Sequence, residues 1–171
     1  MDILQLIQLG VLCGTMFGVV FSFAILIMGR VNVEMILNDY PPDIRVRYGL
    51  MSEQTRRQAN LASLPLLAVL GLVVALGLGQ LRSLFNKLTF LNTFIVSAVI
   101  FQMWNLLDLV LLDWFLLMTL KPHFMILPGT EGMAGYNVYA FHFRKFRNGI
   151  VFTLILSLIV TGIALGVEWI L

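Results

Sequence analysis

Four long apolar segments divide this chain, and they constrain its fold more than any other feature. They cover about residues 3–28, 61–81, 89–120 and 149–171 of the 171-residue sequence. A bilayer core about 30 Å thick is crossed by a helix of about 20 apolar residues, so each segment is long enough to span it. Hydrophobic residues make up 60% of the chain and charged residues 12%, against about 45–50% and about 25% in soluble domains. The sequence therefore predicts an integral membrane protein.

The segments are expected to be helices. Lipid offers no hydrogen-bonding partner, so a membrane span must satisfy its backbone groups as a helix or in a closed barrel, and four spans cannot close a barrel. We therefore predict one all-α domain over residues 1–171, a four-helix bundle with long loops at 29–60 and 121–148. The first segment lacks a basic leading region and is too long for a signal peptide, so we expect it to be retained as a span.

The distribution of basic residues predicts the orientation of the bundle. The two long loops lie on one side of the membrane and hold nine of the eleven Lys and Arg residues, while the short connection on the other side holds Arg82 and Lys87. Cytoplasmic loops carry an excess of Lys and Arg. We therefore predict cytoplasmic long loops, both termini outside (N-out, C-out), and a location in the inner (cell) membrane.

Small residues recur at four-residue spacing on three of the segments. The rows are Gly10, Gly14 and Gly18; Gly71, Ala75 and Gly79; and Gly162 and Gly166. Residues four apart share a helix face, and small side chains let two membrane helices approach closely. We expect these glycine-zipper rows to mark helix contacts, with Gly14 and Ala75 in the tightest positions. The contacts lie within one chain, in a homo-oligomer, or with other subunits of a membrane complex.

A polar stripe runs along the third segment, formed by Gln102, Asn105, Asp108 and Asp113. On a wheel of about 100° per residue these side chains fall within an arc of roughly 140°. A carboxylate at the centre of a membrane helix costs about 2.5–3.5 kcal/mol on insertion scales, and such residues usually face the bundle interior or a cavity. We predict a cytoplasm-facing polar cavity, in which Asp108 is the deeper and functionally more important carboxylate.

The loop after the third segment contains further candidate groups. Glu131 lies in a Pro-Gly-Thr-Glu-Gly turn and is expected to face the mouth of the bundle. His123 and His142 are the only histidines, and with the carboxylates they are weak candidates for ligands of a divalent metal, because their spacing matches no known metal motif. The phosphate-loop spacing is absent, and no cofactor is indicated.

A short aromatic and basic stretch leads into the fourth segment. Its cations, Arg144, Lys145 and Arg147, are expected to contact anionic lipid headgroups at the membrane surface. Membrane lipids are thus the predicted partners, and a basic patch beside a membrane span does not indicate nucleic acid. Cys13, the only cysteine, is interpreted as a small apolar filler within the first span.

Two hypotheses for the function follow from these features. The first is a binding or transport protein for a small solute or ion, or a subunit of a membrane complex, with the polar stripe lining its cavity. The alternative is a membrane-embedded enzyme that acts on a lipid or amphiphile at the cytoplasmic interface. Because no complete acid–base or nucleophile set is visible, the sequence favours the first hypothesis and leaves enzymatic activity open.

Overall fold

The computed structural model describes residues 2–170, and every regular element in this range is helical. The α-helices are α1 (Ile3–Val31), α2 (Pro42–Tyr48), α3 (Glu53–Phe85), α4 (Phe90–Leu107) and α5 (Tyr139–Ile170). A π-helical segment, Asp108–Leu120, continues α4, and short 3-10 helices lie at Val33–Asp39, His123–Met125 and Ala134–Asn137. The predicted all-α architecture with four apolar spans is confirmed.

The four spans are α1, α3, α4 with its π-helical continuation, and α5, called here spans one to four. The helices of spans two and four begin well before their apolar segments, at Glu53 and Tyr139. At the start of span two the hydroxyl of Ser52 caps the helix by accepting the Thr55 N–H at 3.1 Å. The start of α1, the end of α5 and the 86–89 connection lie on one side of the bundle, the terminal side. The two long loops lie on the other, the loop side.

The π-helical segment widens the turn of span three where its two aspartates lie. A π-helix bonds each N–H to the carbonyl five residues earlier, and the Lys121 N–H donates to the Leu116 carbonyl at 2.9 Å. Residues five apart, such as Asp108 and Asp113, therefore point in more similar directions than they do on an α-helix. The segment ends at Lys121, whose backbone is left-handed with φ +46°. The sequence predicts an ordinary α-helix over this segment, and the structure has a π-helix in its place.

The glycine row of α1 lies directly against span three. A Cβ built on Gly14 meets the Ile100 carbonyl oxygen at 2.6 Å, and one built on Gly10 meets the Val99 side chain at 2.6 Å. The rows on spans two and four behave differently. Gly71, Gly79, Gly162 and Gly166 have open space around an added Cβ within residues 2–170, and Ala75 is exposed. The expectation of a tight contact at Ala75 is therefore not met among residues 2–170. The buried glycine of α3 is Gly77, which faces Cys13.

The two long loops pack on each other across the loop side of the bundle. The Tyr40 hydroxyl donates to the Met125 carbonyl at 2.6 Å, and its ring lies edge-on to Tyr136. The Tyr136 hydroxyl in turn accepts the Leu127 N–H at 3.0 Å and lies 2.8 Å from the Thr130 hydroxyl. Burial, with smaller contributions from Tyr136 and Asp39, raises the pKa of Tyr40, so its hydroxyl remains a donor. These bonds hold residues 33–48 and 123–137 together as a cap.

Candidate functional site

A cavity of about 210 Å³ lies beneath this cap, between spans one, three and four. Its polar wall is formed by Asp39 from the first loop, by Asn105, Asp108 and Asp113 from span three, and by Lys145 and Thr153 from span four. Its apolar wall is formed by aromatic and aliphatic side chains, with Phe21, Trp104, Leu112, Met125 and Phe152 among them. Three of the four residues of the polar stripe, Asn105, Asp108 and Asp113, therefore border a cavity near the loop side, and Gln102 does not.

An ion-pair network crosses the cavity. The Lys145 ammonium donates to the Asp39 carboxylate at 2.7 Å and lies 3.7 Å from Asp108 Oδ2. Lys145 and Asp39 are each a little under two-fifths exposed, while the Asp108 side chain is 21% exposed. Because Lys145 lies between Asp39 and Asp108, it links the first loop and span three to span four. Lys145 also lines the cavity, and its predicted contact with lipid headgroups stays a prediction.

Asp113 has a different partner, which lies behind the cavity wall. His142 Nδ1 is 2.9 Å from Asp113 Oδ1, and both side chains are 4% exposed. The separation is that of a close ion pair, but the imidazole N–H does not point along the line to the oxygen, so Nδ1 makes no hydrogen bond of good geometry. The two side chains are therefore buried neighbours without an aligned hydrogen bond between them.

Gln102 and Asn105 connect span three to span four. The Gln102 amide donates to the Thr153 hydroxyl at 2.8 Å and to the Ile150 carbonyl at 3.2 Å. The Asn105 amide donates to the Phe146 carbonyl at 3.1 Å, and its side chain lies against Gly149, where a Cβ would not fit. Both amides thus bond to the neighbouring helix, while Asn105 also lines the cavity.

The remaining predicted groups lie apart from the cavity wall. Glu131 is exposed, and its carboxylate accepts the Gly129 N–H at 3.1 Å. Hydrogen bonds from the backbone N–H groups of Glu131 and Gly129 lower the pKa of this carboxyl. His123 is exposed, as are Arg144 and Arg147. Within residues 2–170, no three His, Cys, Asp or Glu side chains are grouped closely enough to hold a metal ion.

Sequence reasoning did not assign Asp39 and Thr153 to the site. Asp39 belongs to Asn38-Asp39-Tyr40-Pro41-Pro42, a run typical of a helix stop. Thr153 is a single hydroxyl on an apolar span. A signal for Thr153 exists in retrospect, because Gly149, Thr153, Ser157 and Thr161 repeat every four residues and so share one helix face. No comparable pattern marks Asp39, which reaches the cavity through the fold of the first loop.

Comparison of the chain with protein families, with curated proteins and with solved structures finds no match. The function is therefore inferred from the geometry and chemistry of the cavity.

Proposed function

We propose that this multi-pass membrane protein binds a small organic cation in the cavity beneath the loop-side cap. The observation that carries the proposal is the charge of the cavity wall. Three carboxylates, Asp39, Asp108 and Asp113, border the cavity, and Lys145 is the only basic residue among its lining side chains. Buried charges are costly unless they are paired, so a site with surplus carboxylates favours a cationic ligand.

The apolar wall supports an organic cation rather than a bare metal ion. Trp104 and Phe21 pack edge-on at 5.4 Å between ring centroids and both border the cavity, together with Phe152. Aromatic faces attract ammonium groups, and the attraction grows when water is excluded. The volume of about 210 Å³ is below the range of about 300–1,000 Å³ for drug-sized ligands. A primary or methylated amine with a short apolar part fits this combination.

Lys145 gives the site a resident cation. Its ammonium occupies the space between Asp39 and Asp108, where a ligand ammonium finds its best partners. Binding therefore involves exchange of one ammonium for another, with Lys145 swinging toward the loop side. A transporter that releases its ligand needs such a competitor, because a cation held by Asp39 and Asp108 without one dissociates slowly.

Calorimetric titration of the protein in nanodiscs of zwitterionic lipid tests the proposal. The probes are methylammonium, ethylammonium and tetramethylammonium, with sodium as the inorganic comparison at constant ionic strength. We expect the organic cations to bind more tightly than sodium. Asp108→Asn is expected to weaken their binding by about 1.5–3 kcal/mol, or about tenfold to a hundredfold in Kd, because it removes one charged hydrogen-bond partner.

Glu53→Gln is the matched control. Glu53 is exposed and pairs only with Arg56, one turn away on the surface, so its removal is expected to leave the titration unchanged. Equal binding by wild type and Asp108→Asn, or equal affinities for sodium and the organic cations, contradicts the proposal. A measurement of thermal unfolding shows whether the variant is folded before its binding is compared.

A second candidate function is supported by the Asp113–His142 pair. A buried imidazole beside a carboxylate is the arrangement of a general base with its orienting partner. Only Asp113 of the pair borders the cavity, so Asp113 is the group that takes a proton from a ligand and His142 is its orienting partner, and this candidate ranks second. Mass spectrometry of mixed phospholipids incubated with wild type and with His142→Gln tests it. A product that forms only with wild type supports an enzyme, and identical lipid profiles exclude turnover of those lipids.

The proposal also includes the membrane location, the orientation and the assembly of the protein. We infer an inner-membrane location with both long loops in the cytoplasm, since those loops hold nine of the eleven basic residues. A cysteine introduced at position 45 tests the orientation in intact cells. Rapid labelling by an impermeant reagent shows that the first long loop lies outside, which contradicts this orientation. Assembly as a homo-oligomer or with other membrane subunits stays a prediction, and the mass of the particle in nanodiscs tests it.

A further inference from the structure

A groove of about 720 Å³ lies on the loop side, between the first long loop and the start of span two. It shares no lining residue with the cavity beneath the cap. Arg45 and Arg56 supply its positive charge, Glu53 is the one acidic residue of its lining, and Val46 and Leu50 are among its apolar side chains. The groove therefore combines a surplus of positive charge with apolar surface.

The two arginines of the groove have N–H groups available for an anion. Arg45 is exposed, and within residues 2–170 its guanidinium makes no ion pair. Arg56 bonds to the Glu53 carboxylate at 2.8 and 2.6 Å, but both bonds come from Nη2, and the pair is exposed. A guanidinium has five N–H donors in a planar fork that matches the oxygens of a phosphate. Both arginines can therefore bind one phosphate.

The apolar side chains of the groove are unusually exposed. Leu50 is 98% exposed and Val46 is 83% exposed. Apolar surface in contact with water is unfavourable, and a cluster of it beside polar groups marks a surface that contacts a partner or a membrane. Together with the arginines, these side chains suit a molecule that has an anionic group and an apolar part.

The height of the groove along span two corresponds to the headgroup layer of the bilayer. The apolar segment of span two, 61–81, is about 32 Å long as a helix, which matches a bilayer core about 30 Å thick. Arg56 lies five residues before this segment, or about 7.5 Å farther along the helix axis. The polar layer on each side of the core is about 5–7.5 Å thick, so the long Arg56 side chain lies within reach of the lipid phosphates.

We propose that this groove is a binding site for an anionic phospholipid of the loop-side leaflet. The phosphate lies between Arg45 and Arg56, and the acyl chains contact Val46 and Leu50. A lipid is favoured over an acidic peptide, because the apolar side chains lie at the level of the headgroups. The site is distinct from the predicted headgroup contact at the start of span four, and it is independent of cation binding in the cavity.

Native mass spectrometry of the full chain, released from detergent micelles, tests the site. The probes are dioleoyl phosphatidylglycerol, dioleoyl phosphatidylcholine and inorganic phosphate. We expect phosphatidylglycerol to bind more tightly than phosphatidylcholine, and inorganic phosphate to show no binding at the same concentration. A basic residue near anionic lipid contributes roughly fivefold to binding. The double variant Arg45→Gln with Arg56→Gln is therefore expected to bind phosphatidylglycerol about thirtyfold more weakly.

Two controls match these changes. Arg144→Gln with Arg147→Gln removes the same charge from the loop side at exposed positions outside the groove, and we expect it to keep the tight binding of phosphatidylglycerol. Leu50→Asn tests the acyl contact and is expected to weaken binding by about tenfold. Val138→Asn is its control, because Val138 is an apolar side chain of the second long loop that is 40% exposed. Thermal unfolding shows that each variant is folded.

Several results overturn the proposal. Equal binding of the two lipids, or undiminished binding in the double variant of Arg45 and Arg56, removes its basis. An equal loss in the double variant of Arg144 and Arg147 shows diffuse attraction by the basic loops in place of a defined site. Tight binding of inorganic phosphate, or unchanged lipid binding by Leu50→Asn, shows that acyl chains are not recognised. Displacement of phosphatidylglycerol by an equal concentration of hexaglutamate identifies an acidic protein segment as the occupant instead.

Discussion

Span three is packed on two sides by different means. Toward α1, the glycine row brings the helix backbones close, and an added Cβ at Gly14 meets a backbone oxygen at 2.6 Å. Toward α5, the contact is made through polar side chains, with Gln102 bonded to Thr153 and Asp113 beside His142. One helix therefore contains both a close-packed apolar face and a polar face.

The two faces contribute differently to the stability of the bundle. Lipid tails are as apolar as leucine, so close packing supplies the association free energy on the α1 side. Interhelical hydrogen bonds in membranes contribute only about 0.6 kcal/mol on average. A face with buried carboxylates is therefore a poor choice for stability alone, and this supports a functional use for the polar face.

Gly14→Leu is expected to have the largest effect, because it breaks the close-packed face. The new side chain meets the carbonyl and Cα of Ile100, which cannot move without shifting span three. Overpacking usually costs about 1–3 kcal/mol, and more where a backbone is displaced. Thermal unfolding in nanodiscs measures the loss. Gly71→Leu, a glycine with open space around it, is the control, and equal stability of the two variants argues against close packing at Gly14.

His142→Ala tests the loop-side end of the polar face. It leaves the buried Asp113 carboxylate facing empty space, and a buried polar group without a partner costs about 1–3 kcal/mol. The other histidine, His123, is exposed, so His123→Ala is the matched control and is expected to unfold like wild type. A smaller loss in the double variant Asp113→Asn with His142→Ala than in His142→Ala alone attributes the cost to the carboxylate.

Gln102→Leu tests the middle of the polar face and is expected to cost less. It removes the bonds to Thr153 and Ile150, and the average membrane value of about 0.6 kcal/mol sets the scale. Gln80→Leu, on an exposed position of span two, is the comparison. Equilibrium unfolding in a mixed detergent series resolves the two. A loss as large as that of Gly14→Leu contradicts the proposed division between the two faces.

Glu131→Gln is expected to have the smallest effect, because Glu131 lies outside both faces. The hydrogen bonds that lower the pKa of Glu131 stabilise the 129–132 turn at neutral pH, and this contribution is lost as the pH falls through the folded-state pKa. Hydrogen exchange at the turn is therefore expected to differ between wild type and Glu131→Gln at about pH 7 and to converge as the pH falls below the folded-state pKa. The global unfolding stability of Glu131→Gln is expected to equal that of wild type. A lower stability contradicts this and shows that Glu131 interacts with residues beyond the 129–132 turn.

Much of the fold follows from local properties of the sequence, while the site follows only in part. The four apolar runs predict four helices because hydropathy and helix length are properties of each segment alone. Asp108 is predicted near a cavity for the same reason, since an isolated carboxylate avoids lipid. The place of Lys145 in the cavity is not predicted, because its neighbours along the chain are aromatic and basic, which is also the pattern of a surface anchor.

The sequence by itself determined the class, the number of spans and the polar character of span three, because each depends on residues that are close in the chain. Only the tertiary structure decided which polar groups meet. The π-helical segment changes the direction of Asp113, the fold of the first loop carries Asp39 over the cavity, and the antiparallel register brings Lys145 and Thr153 to span three. These pairings depend on the rotation and offset of packed helices, which no single segment specifies.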